Sequence, residues 1–433
     1  TADAIRKTDL AAKFGDYYVG GADAGDETIA ADIAQESAAS YADNTSGLIT
    51  ASTLQNWIDD WANNKPSTIT GDLVILEVGE DNTAEDVDMY DGDGNYATGG
   101  IFINSASGVR TYVVKASEVH QTRHNGVMDS VTMVASEAQI NDFMAKYDID
   151  PTKDMVVVAM GKGGAGSAMR MGRIWYALRY WGAEAGHLAL LNGGAVTVLG
   201  SSYKTVGDPS VLSGHYNADD SGTPAPPQVN ISAITAAADL PEVNMALLAT
   251  YEEMLNVAKG YQQPTGGAFI WDARSSTEYK GEEGDDSARG RAFSGRPRGA
   301  KHLNFIELLK TDDGYKFKTK ETLKGMVSDL GYQDGQTVYT YCVTTYRAMV
   351  TGIASGVILG YPTKFYDGAM MQWNTMAYHM NKQGTYNLPK DSPWRADVAE
   401  ASRWSGYSAD DSSSSDDSSD DDDVSVPPQG CGG

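Results

Sequence analysis

The chain has 433 residues, of which 41% are hydrophobic, so it has enough apolar side chains for buried cores in two domains of ordinary size. Asp and Glu outnumber Lys and Arg by 59 to 33, and the formal net charge is −26 at pH 7. Such acidity repels phosphate backbones and anionic lipid surfaces, which argues against nucleic-acid binding as the main task. No apolar run reaches the length that a membrane-spanning helix requires.

Residues 1–45 are rich in Ala, Asp and Gly with weak periodicity, and we interpret them as an N-terminal extension. The start at Thr1, without an initiator Met, is typical of a mature end left by signal removal or of a trimmed chain. Together with the acidity and the small number of cysteines, this start predicts an extracytoplasmic location, either periplasmic or extracellular.

Residues 46–222 predict a first domain in which strands and helices alternate. Apolar runs at 73–78 and 155–160 are typical of buried strands, whereas 53–58 and 174–181 have the pattern of helices. Alternation of this kind predicts an α/β fold with a parallel sheet flanked by helices.

Residues 223–228 form a Pro-rich linker, and residues 229–400 repeat the first pattern. Strands are predicted at 268–272 and 337–341, and a helix of small residues is predicted from 347 to 359. We interpret the two halves as a degenerate duplication of one α/β unit, so the predicted fold class is α/β with two similar domains.

Residues 401–433 are a tail of different composition, almost purely Ser and Asp from 408 to 423 and ending near Cys431. The tail offers no apolar surface to offset its ordering entropy, so it cannot fold alone. Cations, a basic surface or a second subunit would be needed to order it, and the last of these predicts a homo-oligomer.

The chain has two cysteines, too few for a disulfide framework or for a zinc site without other ligands. Cys342 lies between a predicted buried strand and a predicted helix, where the helix N-terminus and Arg347 favour the thiolate. The alternative is a buried structural cysteine. Cys431 is either an intermolecular disulfide partner, an attachment point or an unpaired thiol.

Five segments of the chain resemble the tandem-domain rhodanese (sulfurtransferase) family. Three lie in the second half, in the order and spacing of that family, and two lie in the first half, which resembles the family's domain without the cysteine. In chain order these segments are 172–182, 190–194, 271–279, 295–305 and 341–373.

The resemblance implies a six-residue loop from Cys342 to Arg347, with backbone N–H groups converging on the sulfur. It implies a sulfurtransferase without a cofactor, in which a small sulfur-containing anion such as thiosulfate gives Cys342 a persulfide and a thiol or cyanide removes the sulfur. Asp272 is expected to pair with Arg347, and these two residues and Cys342 are the predicted catalytic residues. The predicted substrate-binding residues are Arg274, Val343, Thr344, Thr345, Tyr346, Arg296 and Arg298. Arg274 is also expected to fix the end of its strand.

The loop departs from the family because Val343 to Tyr346 include no glycine, and β-branched residues resist the positive φ angles that such a loop uses. The same positions also include no Arg or Lys, although their hydroxyl groups could donate hydrogen bonds to a carboxylate or a thiosulfonate. In addition, Glu278 stands where some members carry a substrate-binding Arg. These departures, the tail and the 24 tyrosines favour an alternative: a secreted or surface protein that uses a degenerate rhodanese fold for assembly or anion binding.

Residues 289–302 form a basic segment in this acidic chain and include Arg296 and Arg298. We predict an anion-binding rim beside Cys342, while the alternatives are a solvated loop paired with the acidic residues at 282–286 and a docking surface for the tail.

Three weaker motifs remain. The glycine-rich stretch 161–167 follows a predicted strand but lacks Walker spacing, so we interpret it as the emptied site of the first domain. His120 and His124 have the spacing of one helical face and are interpreted as surface histidines rather than half a metal site. Asp91 and Asp93, like the acidic tail, are candidates for calcium, although the EF-hand pattern fails because Gly is missing at its sixth position.

Overall fold

The computed structural model describes residues 34–78, 101–102, 107–124, 129–161, 163–194, 204–205, 217–218, 224–225, 244–260, 263–280 and 295–377. The strands in these ranges are β1 (Gly47–Ile49), β2 (Leu73–Val78), β3 (Ile101–Phe102), β4 (Val109–Val114), β5 (His120–His124), β6 (Asp129–Val134), β7 (Met155–Met160), β8 (Leu188–Gly194), β9 (Lys204–Thr205), β10 (Asn217–Ala218), β11 (Pro224–Ala225), β12 (Ala268–Asp272), β13 (Lys301–His302), β14 (Leu309–Lys310), β15 (Lys316–Phe317), β16 (Thr337–Tyr341) and β17 (Thr363–Phe365).

The α-helices in these ranges are α1 (Ala51–Asp59), α2 (Trp61–Asn64), α3 (Glu137–Lys146), α4 (Ala165–Tyr180), α5 (Tyr251–Lys259), α6 (Ser276–Lys280), α7 (Lys320–Asp329), α8 (Tyr346–Gly352) and α9 (Ala369–Ala377). Helix α8 continues as a π-helical segment, Ile353–Ile358. Short 3-10 helices span Ala116–Val119, Ala185–His187, Met245–Leu247 and Phe305–Leu308. Among these helices, none combines the length and the apolar character needed to cross a membrane.

Two parallel sheets confirm the predicted fold class. The first has the strand order β1-β8-β7-β2-β4, and the second has the order β13-β12-β16-β17. Every residue of β2, β7, β8 and β16 is buried, as expected for parallel strands that helices cover on both faces.

The two units repeat one arrangement around their central strands. In the first domain β2 pairs with β7, and in the second β12 pairs with β16, in both cases in parallel. Gly161 follows β7 and Cys342 follows β16, and a helix begins four residues after each of them, at Ala165 and at Tyr346. The stretch interpreted as an emptied site therefore occupies the same place in its unit as the Cys342 loop.

Helices α4 and α8 pack against each other between the two sheets, and apolar side chains from both domains form one continuous core. The helices approach most closely at Gly172, where an added Cβ would lie 2.5 Å from Cβ of Met349 and 3.0 Å from Cδ1 of Ile353. The two domains thus share one core across this interface, and each also has a smaller core of its own.

The segment from Gln35 to Tyr41, part of the predicted extension, packs against the second domain. The Ser37 backbone N–H donates to the carbonyl of Ile358 (3.2 Å), and the Tyr41 hydroxyl donates to the carbonyl of Lys318 (2.7 Å). Ser37 and Tyr41 are buried, so this part of the extension belongs to the packed structure. Residues 1–33 and the tail lie outside the described residues, and the domain boundaries stay predictions.

Candidate active site

Cys342 lies in a loop between the end of β16 and the start of α8, and only 1% of the residue is exposed. The loop is anchored by the first turn of α9. The carbonyl of Cys342 accepts a hydrogen bond from the N–H of Met370 (3.0 Å), and that of Val343 accepts one from Met371 (3.3 Å). Because α9 directly follows the second domain's last described strand, this contact fixes the loop to the sheet edge.

Thr345 supplies the turn that a glycine was expected to make. Its backbone has φ +64° and ψ 5°, in the left-handed region, and its side chain is fully buried. Its Oγ1 donates to the carbonyl oxygens of Tyr366 (2.8 Å) and Asp367 (3.0 Å). The loop therefore makes its turn without glycine, because these hydrogen bonds offset part of the strain.

Arg347 pairs with Glu278, which corrects the predicted Asp272–Arg347 pair. The two Nη atoms of Arg347 lie 2.5 and 2.7 Å from the carboxylate oxygens of Glu278. Burial alone would raise the pKa of Glu278, but the hydrogen bonds and charge of Arg347 outweigh it and hold that pKa at about 2. Burial likewise opposes the charge of Arg347, yet the hydrogen bonds and charge of Glu278 outweigh it and raise the pKa of Arg347.

Asp272 is enclosed by its own neighbours instead. Its carboxylate accepts hydrogen bonds from Nε and Nη2 of Arg274 (2.9 and 2.6 Å) and from the hydroxyl of Tyr341 (2.6 Å). Arg274 is buried and also donates to the carbonyl of Gly295, so it ties the end of β12 to the following segment, as expected. Its predicted contact with substrate and the catalytic role of Asp272 stay predictions.

Arg296 is buried rather than displayed at a rim. Its guanidinium lies 4.1 Å from the ring centroid of Tyr279, and its Nη1 donates to the carbonyl of the same residue (2.9 Å). This geometry gives Arg296 a structural contact, while Arg298 is half-buried. Residues 281–294 lie outside the described residues, so the anion-binding rim stays a prediction.

A hairpin of the first domain, β5–β6, lies over the Cys342 loop. Thr132 Oγ1 donates to the carbonyl of Thr344 (2.9 Å), and the ring of His120 stands edge-on to Tyr346 with centroids 5.7 Å apart. Burial and the charge of Arg173 lower the pKa of His120 to about 4, so the imidazole is neutral at pH 7. The first domain therefore contributes directly to the surroundings of the thiol.

His120 and His124 are the first and last residues of β5, so the prediction that they share one face of a helix is wrong. Polar residues at helical spacing also fit a short strand, and the sequence carried no apolar alternation to distinguish the two.

The hairpin and the loop meet at a buried ion pair that sequence reasoning did not assign. Arg173 Nη1 lies 2.6 Å from Oδ1 of Asp367, and both side chains are fully buried. The other carboxylate oxygen accepts the N–H of Val134 (2.7 Å), and Nη2 of Arg173 donates to the carbonyl of Thr132. The only sequence signal was that both charged residues stand in apolar segments already matched to the family.

In the first domain, the stretch equivalent to the Cys342 loop is packed by the second domain. Gly163 and Gly164 have positive φ angles, and an added Cβ on Gly163 would lie 3.0 Å from Cα of Gly194. The N–H of Gly194 donates to the carbonyl of Gly314 (2.6 Å), which lies in the β14–β15 turn. This packing is consistent with the interpretation of an emptied site.

Within the described ranges, no group of three or more His, Cys, Asp and Glu side chains is placed to hold a metal ion. Asp91, Asp93, the tail and Cys431 lie outside those ranges, so the predictions of calcium binding and of a tail-mediated oligomer stay predictions.

No family model matches the chain. It is 30% identical over 114 residues to the sulfur carrier protein TtuD of Thermus thermophilus, which covers 25% of this chain and 39% of that protein. It is 32% identical over 105 residues to the thiosulfate sulfurtransferase of Azotobacter vinelandii, which covers 24% of this chain and 36% of that enzyme. The chain thus spans less than half the length of these curated relatives.

Solved structures share the fold at low sequence identity. The Tum1 protein of Saccharomyces cerevisiae is similar with a TM-score of 0.56 and 13% identity, over 80% of this chain and all of that one. The anaerobic ergothioneine biosynthesis enzyme of Chlorobium limicola is similar with a TM-score of 0.51 and 13% identity, over 79% of this chain and 71% of that one. Fold, loop and relatives together confirm the resemblance of this chain to the rhodanese-like sulfurtransferase family.

Proposed function

We propose that this protein is a sulfurtransferase in which Cys342 carries the transferred sulfur as a persulfide. The observation that carries the proposal is the position of this thiol, at the first residue of a tight loop between a buried parallel strand and a helix. Relatives named as a sulfur carrier protein and a thiosulfate sulfurtransferase support the same chemistry.

The reaction has two steps. In the first, the Cys342 thiolate attacks the outer sulfur of thiosulfate; a new S–S bond forms, the S–S bond of the donor breaks, and sulfite leaves with the electron pair. In the second, a thiol or cyanide attacks the outer sulfur of the persulfide, and the Cys342 thiolate leaves. No external oxidant is needed, because the sulfur is transferred at the oxidation level of the donor.

Two features of the loop support this role. The charge of Arg347 interacts favourably with a negative Cys342, and its ion pair with Glu278 holds the guanidinium in place. The carbonyls of Cys342 and Val343 accept hydrogen bonds from α9, and the carbonyl of Thr344 accepts one from Thr132. We infer that the loop amides face inward and stabilise the anionic sulfur, as in other backbone anion nests.

Intact-protein mass after brief incubation with thiosulfate, and separately with mercaptopyruvate, tests the proposal and compares two donors. We expect a gain of one sulfur atom that maps to Cys342 and is removed by cyanide. Cys342→Ser should lose the gain while keeping the fold, whereas Cys431→Ser should keep it. A Cys342→Ser variant with full sulfurtransferase activity would overturn the mechanism.

A second candidate is a secreted or surface protein that uses the fold for assembly or anion binding. The nearly complete burial of Cys342 favours it, because a thiol with 1% exposure must become accessible before it can react. Truncation after Trp404 separates the two functions: an assembling protein should elute later from a sizing column, whereas a catalytic monomer should keep its elution volume and activity. We propose the same extracytoplasmic location in either case.

A further inference from the structure

We propose that Arg173 of the first domain is a positioning residue for the Cys342 loop of the second domain. The inference rests on the proposed function and extends it, because it assigns to the first domain, which has no cysteine, a part in the reaction of the second.

The first observation is the environment of the guanidinium. Arg173 and Asp367 form an ion pair with 2.6 Å between Nη1 and Oδ1, and neither side chain is exposed. Removing two charges from water is costly, so a buried pair persists only when further hydrogen bonds satisfy it. Here the second oxygen of Asp367 accepts the N–H of Val134 (2.7 Å), and Nη2 of Arg173 donates to the carbonyl of Thr132.

The second observation is that two routes lead from Arg173 to adjacent residues of the loop. On one route Arg173 holds Asp367, whose carbonyl accepts a hydrogen bond from Oγ1 of Thr345 (3.0 Å). On the other route Arg173 holds Thr132, whose Oγ1 donates to the carbonyl of Thr344 (2.9 Å). One side chain therefore constrains both residues at the centre of the loop.

The position of these two residues matters because Thr345 makes the left-handed turn between Cys342 and α8. If Arg173 is lost, Thr344 and Thr345 keep their bonds to Thr132 and Asp367, but those partners are themselves no longer fixed. Displacing a reactive group by about 1 Å is enough to cost a reaction up to about 100-fold in rate. We therefore expect loss of Arg173 to slow persulfide formation on Cys342 without abolishing donor binding.

A stability role and a positioning role respond differently to an apolar replacement of the pair. Removing one partner strands a buried charge, whereas replacing both by apolar side chains of similar size is often neutral. The double variant R173M/D367L should therefore recover the stability that each single variant loses to its stranded charge, although the buried N–H of Val134 stays without its acceptor. It should not recover the position of the loop, because methionine cannot bind the carbonyl of Thr132.

The test compares wild type, R173M, D367L, R173M/D367L and R173K. Urea unfolding measures stability, and single-turnover mass spectrometry with thiosulfate measures persulfide formation. The rate of alkylation of Cys342 by iodoacetamide measures the loop without any sulfur transfer. We expect the double variant to unfold between the single variants and wild type, to form persulfide ~10-fold to ~100-fold more slowly at saturating donor, and to show an altered alkylation rate.

R173K keeps the positive charge but not the planar guanidinium that reaches two acceptors. It should therefore fold, and its rate of persulfide formation should lie between those of wild type and the double variant. The matched control is R110M. Arg110 lies near the start of β4 in the first sheet and forms ion pairs with Asp72, Asp148 and Asp154, none of which contacts the Cys342 loop in the hydrogen bonds described above. R110M should lower stability and leave both Cys342 readouts unchanged. Wild-type kinetics and alkylation in folded R173K and in the double variant would overturn the proposal.

The two proposals fail in different ways. Absence of persulfide in wild type, with Cys342 reduced, would contradict the sulfurtransferase function alone, since the alkylation rates still report on the loop. Persulfide formation in wild type with unchanged rates in the folded variants would contradict only the role of Arg173.

Discussion

Thr345 combines a backbone in the left-handed region with a side-chain hydroxyl group that donates to two carbonyl oxygens. A β-branched residue in the left-handed region costs roughly 1–2 kcal/mol relative to its usual conformations. Its Oγ1 offsets this cost by donating to two buried carbonyls, those of Tyr366 and Asp367. The residue type at this position is therefore set by the hydroxyl group, and the shape of the side chain is secondary.

Two substitutions of Thr345 test the role of its hydroxyl group separately from that of its β-branched shape. Thr345→Val has nearly the same shape but removes the hydroxyl donor to the carbonyl of Asp367, whereas the carbonyl of Tyr366 keeps the N–H of Ala369. We expect the free energy of unfolding to fall by about 1–3 kcal/mol. Thr345→Ser keeps the hydroxyl group and removes the β-branch, so its change should be below about 1 kcal/mol. Urea midpoints of the two variants check this, and equal losses for Val and Ser would contradict it.

His120 gives the protein a predictable dependence on pH. Its pKa is lowered from 6.5 to about 4 in the fold, mainly by burial and then by the charge of Arg173, while the carboxylate of Asp367 acts in the opposite direction. Between these values the unfolded chain binds the proton more readily than the folded one. The contribution of His120 to stability is therefore present above pH 6.5 and is lost as the pH falls toward 4.

We expect this contribution to disappear in His120→Phe, which keeps an aromatic ring against Tyr346 but cannot be protonated. The measurement is the urea midpoint of wild type and variant between pH 7.5 and about 4.5, where the difference cancels the titration of other groups. Wild type should lose more stability than the variant across this interval. Parallel curves would show that the imidazole is as easily protonated in the fold as in the unfolded chain.

The sequence predicted where Cys342, Arg347 and Asp272 lie in the second domain better than it predicted their partners. Cys342, Arg347 and Asp272 all lie at one edge of the second sheet, as their places after buried strands required. Their pairing was wrong because Arg274, two residues after Asp272, occupies that carboxylate, while α6 brings Glu278 to Arg347. The two-residue spacing of Asp272 and Arg274 was visible in the sequence, whereas the contact of Glu278 with Arg347 depends on where α6 lies.

At the scale of elements, Gly172 marks the crossing of α4 and α8. An added Cβ there would lie 2.5 Å from Cβ of Met349, an atom that cannot move without the backbone of α8. We expect Gly172→Ala to lower the free energy of unfolding by about 1–3 kcal/mol, the usual cost of overpacking a core.

Gly325 provides the matched control, because it lies within α7, is exposed, and has no atom within 4 Å of its added Cβ. The same substitution there should raise stability by about 0.5–1 kcal/mol through helix propensity alone. Thermal and urea unfolding of the two variants check the opposite signs. A stabilising Gly172→Ala would mean that the helices are farther apart than described.

Buried strands were predicted well, whereas the polar hairpin β5–β6 was not. The runs of β2, β7, β12 and β16 have one interpretation, since each is five or six residues long and almost wholly buried. The β5–β6 hairpin has mixed polarity because one face lies against the Cys342 loop of another domain. Its contact with that loop joins residues far apart in the chain, since Thr132 and Thr344 are 212 positions apart, and local sequence patterns do not indicate such a contact.

At the scale of the whole molecule, the shared core predicts how the protein unfolds. Domains joined by a small polar interface move and unfold independently, but a large apolar interface couples them. Here one apolar cluster includes Met171 and Ile174 of the first domain and Met349 and Ile353 of the second. The buried pair of Arg173 and Asp367 crosses the same interface, and breaking it strands a charge in either domain.

We therefore expect both sheets to unfold in one cooperative transition. Hydrogen exchange under increasing urea should give the amides of β7 and β16 the same opening free energy, and Gly172→Ala should lower both together. Gly325→Ala, within the second domain, should also shift both, because a gain in one domain stabilises a unit that unfolds as a whole. Two separate transitions, or a change confined to one sheet in either variant, would show that the α4–α8 interface packs the domains together without coupling their stability.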